Sequence, residues 1–189
     1  IVLTGHSYGG MVITGVMDRV PERIRHVVYL DAAVPDDGMS LWDLFGNPPD
    51  PRRFVDGFMQ VPWVQPGARP PHNVKQSIKC FNQPVSYQNP AAKALPVTYV
   101  AFVPKDKSAE ERAKTDQSWQ RAVARGWTIR TFPGGHVAQQ DARGRGLGHD
   151  AVEVFHDQRG GARQKIAEVI GELGVEARDE GLRRKVAVQ

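Results

Sequence analysis

The chain contains the three side-chain types that nucleophilic attack on a carbonyl requires: a hydroxyl, an imidazole and a carboxylate. Ser7 stands in Gly5-His6-Ser7-Tyr8-Gly9-Gly10, a G-x-S-x-G pattern with one more glycine behind it. That pattern needs small residues two before and two after the serine, because a sharp turn crowds a helix against a strand and only glycine leaves room. The turn lifts the Ser7 hydroxyl clear of a sheet edge and leaves the next backbone N–H, that of Tyr8, where an oxyanion would form. A hydroxyl is a poor nucleophile at neutral pH and needs an adjacent base. The plainer alternative, a glycine-rich turn with an inert serine, fits less well with the apolar run before the motif and the helical pattern after it.

The elements that would position these groups follow from periodicity. Met11, Val12, Val16, Met17 and Val20 predict a helix from about Gly9 to Val20, stopped by Pro21. His26-Val27-Val28-Tyr29-Leu30 reads as a second strand ending in Asp31, so residues 1–38 form a parallel βαβ unit. Ile1-Val2-Leu3 is apolar at consecutive positions, as in a strand covered on both faces with neighbours on both sides. A chain that begins without Met, in mid-strand, leads to the expectation that further residues precede Ile1. Residues 39–95 lose periodicity and mix prolines with large apolar side chains. A cap of short helices over the sheet edge is expected there, with Trp42, Phe45, Phe58 and Trp63 lining a pocket for an apolar substrate. The simpler role for those aromatics is to hold the cap down.

Regular structure returns in residues 96–136. Val97 to Val103 is a strand, and Ser108-Ala109-Glu110-Glu111 has the form of a capping box opening a helix to about Arg125, ended by Gly126. Trp127 to Phe132 is the next strand, followed directly by Pro133-Gly134-Gly135-His136. Ser7, Asp106 and His136 therefore each sit just past the carboxyl end of a different strand, where open α/β sheets build their sites.

Serine, then acid, then histidine is the chain order of the α/β hydrolases. The chain resembles the second half of an α/β-hydrolase-superfamily enzyme, in the branch of small esterases, plant methylesterases and hydroxynitrile lyases. The residues that carry the resemblance are Gly5-His6-Ser7-Tyr8-Gly9-Gly10, Tyr29-Leu30-Asp31-Ala32 with Pro35-Asp36-Asp37-Gly38, Leu95 to Val100, and Gly134-Gly135-His136. It implies a partial α/β-hydrolase fold, a parallel sheet flanked by helices with a small helical cap. It also implies a triad in which Ser7 attacks an ester carbonyl, His136 moves the proton and Asp106 orients the imidazole, with the Tyr8 N–H as one oxyanion donor. Asp31 is the rival acid, because some relatives place it after that earlier strand. His6 is expected to point away from the site. The family's second oxyanion donor comes from a loop after its third strand, which this sequence does not contain. Residues 137–161 are polar, rich in Gly and Arg, and depart from the family's short loop; Ile166, Val169, Ile170 and Leu173 in residues 162–189 predict a last helix before a charged tail.

Composition narrows the remaining choices. Lys and Arg number 25 against 21 Asp and Glu, and the two signs are interspersed, which argues against a nucleic-acid partner. The single cysteine, Cys80, rules out an internal disulfide and fits a reducing, cytoplasmic setting. No apolar run is long enough to span a bilayer. The histidines lack ligand spacing and the glycines lack a phosphate-loop lysine, so neither metal nor cofactor is expected. Three readings stay open: a serine hydrolase of small, partly apolar carboxylic esters, a hydroxynitrile-lyase-like enzyme, and a non-catalytic binding protein or inactive fragment of the same fold. Val137 stands where the plant lyases carry a lysine, which counts against the second.

Overall fold

The consecutive apolar residues after Ile1 form β1 (Val2–His6), and the helical pattern after the elbow forms α1 (Gly9–Arg19). The computed structural model describes residues 1–46, 50–60, 64–65, 67, 69, 74–138 and 152–153. Trp63, most of the polar segment 137–161, the expected last helix and the charged tail lie outside the described residues. Pro21 opens a short 3-10 turn, and the chain returns as β2 (His26–Leu30).

Residues 39–95 are not purely helical. Ser40 caps α2 (Leu41–Phe45) in a capping box with Asp43. After a 3-10 turn come β3 (Phe54–Val55) and β4 (Phe58–Met59), paired antiparallel around Asp56-Gly57. Both turn residues have positive φ, 51° and 77°, the geometry that an Asp-Gly pair supplies in a two-residue hairpin. β5 (Gln76–Ser77) completes a small three-stranded sheet, and α3 (Lys79–Asn82) and α4 (Pro90–Lys93) follow. Residues 39–95, expected from their aromatic and proline content to be short helices, thus contain a small sheet as well.

β6 (Val97–Val103) is buried along almost its whole length, as expected for an inner strand with both faces covered. The capping box at Ser108 and Glu111 opens α5 (Ala109–Thr115), but the single helix expected to Arg125 is broken. Asp116 turns its carboxylate back to accept the Trp119 N–H and starts α6 (Gln117–Ala124). An Asp that satisfies a backbone N–H in this way offers the chain an alternative to continuing the helix. β7 (Thr128–Pro133) and β8 (Val152–Glu153) complete the main sheet, in the order β7-β6-β2-β1-β8. Its first four strands are parallel, and β8 pairs antiparallel with Thr4 and Gly5 of β1.

The core joins Leu3, Val27, Tyr29 and Tyr99 of the sheet to Ile13 and Met17 of α1 and Trp119 and Ala122 of α6. Ile13 and Met17 are fully buried, each contributing about 1.5–3 kcal/mol of burial. What brings α1 this close is the pair of glycines on either side of the elbow. A Cβ on Gly5 would lie 2.7 Å from the Gly9 carbonyl oxygen, and one on Gly10 would lie 2.0 Å from the Ala33 carbonyl oxygen.

Gly10→Ala drives a methyl into backbone that has nowhere to move. Chemical denaturation should show it destabilised by at least ~2 kcal/mol, toward the upper end of overpacking costs. A midpoint unchanged from wild type would mean that helix and strand tolerate a wider separation.

Candidate active site

Ser7 and Asp31 are two of three non-glycine residues in the described chain with positive φ, at 56° and 47°. Such backbone costs of order 1–3 kcal/mol per residue and persists only where its surroundings enforce it. The enforcement here is mutual. The Ser7 carbonyl accepts both the Gly10 N–H, at 3.2 Å, and the Ala33 N–H, at 2.9 Å, tying the elbow after β1 to the turn after β2. Since His6 pairs with Leu30 in register, the residues that follow, Ser7 and Asp31, emerge side by side from neighbouring strands.

His136 arrives from the loop after β7 and bridges them. Its Nε2 lies 2.9 Å from Ser7 Oγ, and its Nδ1 lies 2.6 Å from Asp31 Oδ2. With the ionised carboxylate only able to accept, the ring proton belongs on Nδ1, leaving Nε2 to accept from the Ser7 hydroxyl. The imidazole is held from behind as well. His6, which the sequence places away from the site, is buried and donates from Nε2 to the His136 carbonyl at 2.6 Å. The two rings lie 4.7 Å apart, and Phe102 stacks on His6 at 6.0 Å. A histidine before the serine was visible in the sequence; its reach to the backbone of a residue far along the chain was not.

The acid beside His136 is Asp31, and Asp106 is not part of the constellation. Asp106 sits in an exposed turn beyond Pro104, and the His136 ring bonds to Asp31 and Ser7 instead. Asp31 is inserted between the ends of β2 and β6, its side chain only 4% exposed, where its Oδ1 accepts the Phe102 N–H at 3.1 Å. The Arg112 guanidinium from α5 also bonds Oδ1. Burial pushes the Asp31 carboxyl up, but the hydrogen bond from His136 and the charge of Arg112 outweigh it and hold the group below the ordinary carboxylate range.

In front of Ser7 opens a cavity of about 620 Å³. Leu41, Leu44, Phe45 and Phe81 form its apolar wall, and Arg112, Asp116, Gln117 and Ser118 contribute a polar one. Of the aromatic residues expected to line a pocket, Phe45 does so. Trp42 instead packs in the cluster beneath, against Phe54 and Phe81, and Phe58 is exposed on β4 away from the cavity. Leu41 and Leu44 were legible as an i, i+3 pair behind the Ser40 cap, a signal outweighed by the larger aromatics nearby. Tyr8, at the start of α1, also borders the cavity.

The sequence pattern of the alpha/beta hydrolase family matches residues 1–147. A carbendazim hydrolyzing esterase from Nocardioides is 54% identical over 61 residues, which is 31% of this chain and 25% of the esterase. A pyrethroid hydrolase from Sphingobium faniae superposes at 19% identity with a TM-score of 0.43, over 70% of this chain and 61% of that one. A methylesterase from Arabidopsis does so at 15% identity and a TM-score of 0.42, over 73% of this chain and 62% of that one. This chain covers less than two thirds of the length of each of these relatives.

The depressed Asp31 titration makes stability depend on acid. Its contribution is fully present above the unfolded carboxylate value of about 3.9 and is lost as pH falls through the lower folded value. Urea unfolding at a series of pH values from 5 to 2 should therefore show a decline in stability that is shallower in Asp31→Asn. Parallel curves for the two proteins would remove Asp31 from the acid response.

Proposed function

Because the chain belongs to the alpha/beta hydrolase family, we propose that it carries the catalytic residues of a serine hydrolase acting on carboxylic esters of small, partly apolar compounds. The observation that carries this reading is the continuous hydrogen-bonded line from Ser7 Oγ through both nitrogens of His136 to the buried Asp31. The identity with an esterase over 61 residues supports it, as does the part-apolar cavity in front of the serine. No nucleic acid, membrane or cofactor enters the reaction, and a cytoplasmic setting suits the lone thiol.

In this mechanism Ser7 Oγ attacks the ester carbonyl carbon while His136 Nε2 takes its proton. The resulting imidazolium is stabilised by the ionised Asp31, which does not itself take up a proton. The carbonyl oxygen becomes an anion facing the Tyr8 N–H at the positive end of α1. The intermediate collapses as the C–O bond to the alcohol breaks, and His136 returns the proton to the leaving oxygen. Water then attacks the carbonyl carbon of the Ser7 ester, giving its proton to Nε2; the C–O bond to Ser7 breaks, His136 returns the proton to Oγ, and the carboxylic acid departs.

Peptide mapping after reaction with a fluorophosphonate should find the label on Ser7 and none in Ser7→Ala, with folding intact. A folded wild type that is not labelled would leave a binding protein as the better description. Between the two acids, Asp31→Asn should lower kcat by roughly 10⁴, as loss of the correct histidine tautomer does. Asp106→Asn should stay within about threefold of wild type, in line with ordinary surface substitutions. The reverse pattern would return the acid role to Asp106.

A further inference from the structure

Beside Asp31, on the polar wall of the cavity, lies a further set of charges that the reaction above does not use. Arg112, on α5, is about four-fifths buried: its side chain is 19% exposed. Its guanidinium bonds Asp31 Oδ1 on one side and Asp116 on the other, the latter through Nε at 3.2 Å and an NH2 nitrogen at 2.9 Å. Asp116 is fixed in turn by the Tyr99 hydroxyl, which donates at 3.0 Å, and by its own bond to the Trp119 N–H at 3.0 Å. Because of that last bond the helix breaks at Asp116, so the break and the placement of Arg112 are one feature.

We propose that Arg112 is a positioning residue for the reaction: by engaging Oδ1 of Asp31 it turns Oδ2 toward His136 and offsets part of the carboxylate's charge. This rests on the hydrolase reading above. A planar fork suits the task, because it can bond two carboxylates at once with defined geometry, which an ammonium cannot. The charged and titratable groups facing Asp31 are then His136 from the loop after β7, Arg112 from α5, and, one step further, Asp116 and Tyr99. His6 of β1 stands behind His136. With two carboxylates against one guanidinium, the cluster's formal charge toward the imidazole is one net negative. Arg112 therefore does two separable things. It sets the orientation of the acid, and it limits how strongly the acid favours the protonated imidazole.

Three substitutions in the full chain separate these roles, read as kcat and as kcat/KM across pH with an ester substrate. Arg112→Gln should lower kcat by about 10²-fold, the cost of a misplacement of about 1 Å. With the positive charge gone, the acidic limb of kcat/KM should move up by roughly one pH unit. Arg112→Lys keeps the charge and loses the fork, so kcat should fall while the limb stays. Asp116→Asn preserves an α6 cap, since Asn caps as well as Asp. It removes a negative charge, so its limb should move in the opposite direction, down. That variant needs no uncompensated buried carboxylate to fold, and it keeps the test open should Arg112→Gln unfold. Equal losses in all three variants with an unmoved limb would reduce Arg112 to a packing role, and activity within threefold of wild type in folded Arg112→Gln would overturn the proposal. Fluorophosphonate labelling of wild-type Ser7, run alongside, keeps the two ideas apart: without it the hydrolase reading itself fails, whatever Arg112 does.

Discussion

The structure turns on one backbone oxygen. The Ser7 carbonyl accepts from Gly10, within its own elbow, and from Ala33, in the turn beyond β2. The first bond holds Ser7 in its strained φ; the second joins that strain to the turn in which Asp31 is strained as well. Both bonds need α1 to lie against the backbone of residue 33 with no intervening side chain, which is why Gly10 cannot carry a Cβ. Two disfavoured conformations, several residues of turn and the helix–sheet packing thus depend on a single close approach. Neither strained residue would hold its conformation alone.

Much of this was legible from sequence, for identifiable reasons. β1, α1 and β2 follow each other within thirty residues, and their apolar periodicities change cleanly from strand to helix to strand. Ser7 and His136 are marked by glycines, which record backbone demands locally. The acid was harder. Asp31 and Asp106 both stand at strand ends, and nothing local distinguishes them. The difference is tertiary: β2 is the direct neighbour of β1, and only Asp31 is dehydrated between an imidazole and a guanidinium. The β3–β4 hairpin carried its signal openly, an Asp-Gly pair between Phe54-Val55 and Phe58-Met59, but the surrounding prolines obscured it. The break at Asp116 was hidden between helix-forming stretches: its capping bond to the Trp119 N–H is local, but the Tyr99 hydroxyl that holds the carboxylate in place comes from β6.

The electrostatics of the site follow from layering. A carboxylate as buried as Asp31 is costly unless its lone pairs are met, and a backbone N–H, an imidazole and a guanidinium meet them. His136, by contrast, is largely exposed, as the proton transfers of the proposed reaction require. The most buried of the three is therefore the aspartate, held between the exposed histidine on one side and the arginine of the cavity's polar wall on the other.

The direct pairing of β2 with β6 has an implication for how such a protein diversifies. Residues 31–96 leave the sheet and return to the adjacent strand, so the sheet closes without reference to most of what lies between. Lengthening such an excursion costs little, about 0.6 kcal/mol of closure entropy for each doubling. Yet this same stretch supplies the apolar wall of the cavity through Leu41, Leu44 and Phe81. Past the Asp31 turn, the hydrogen-bonded side chains and the apolar wall thereby come from separate stretches of chain, so a change within the excursion can reshape the cavity while strands, elbow and histidine loop stay in place.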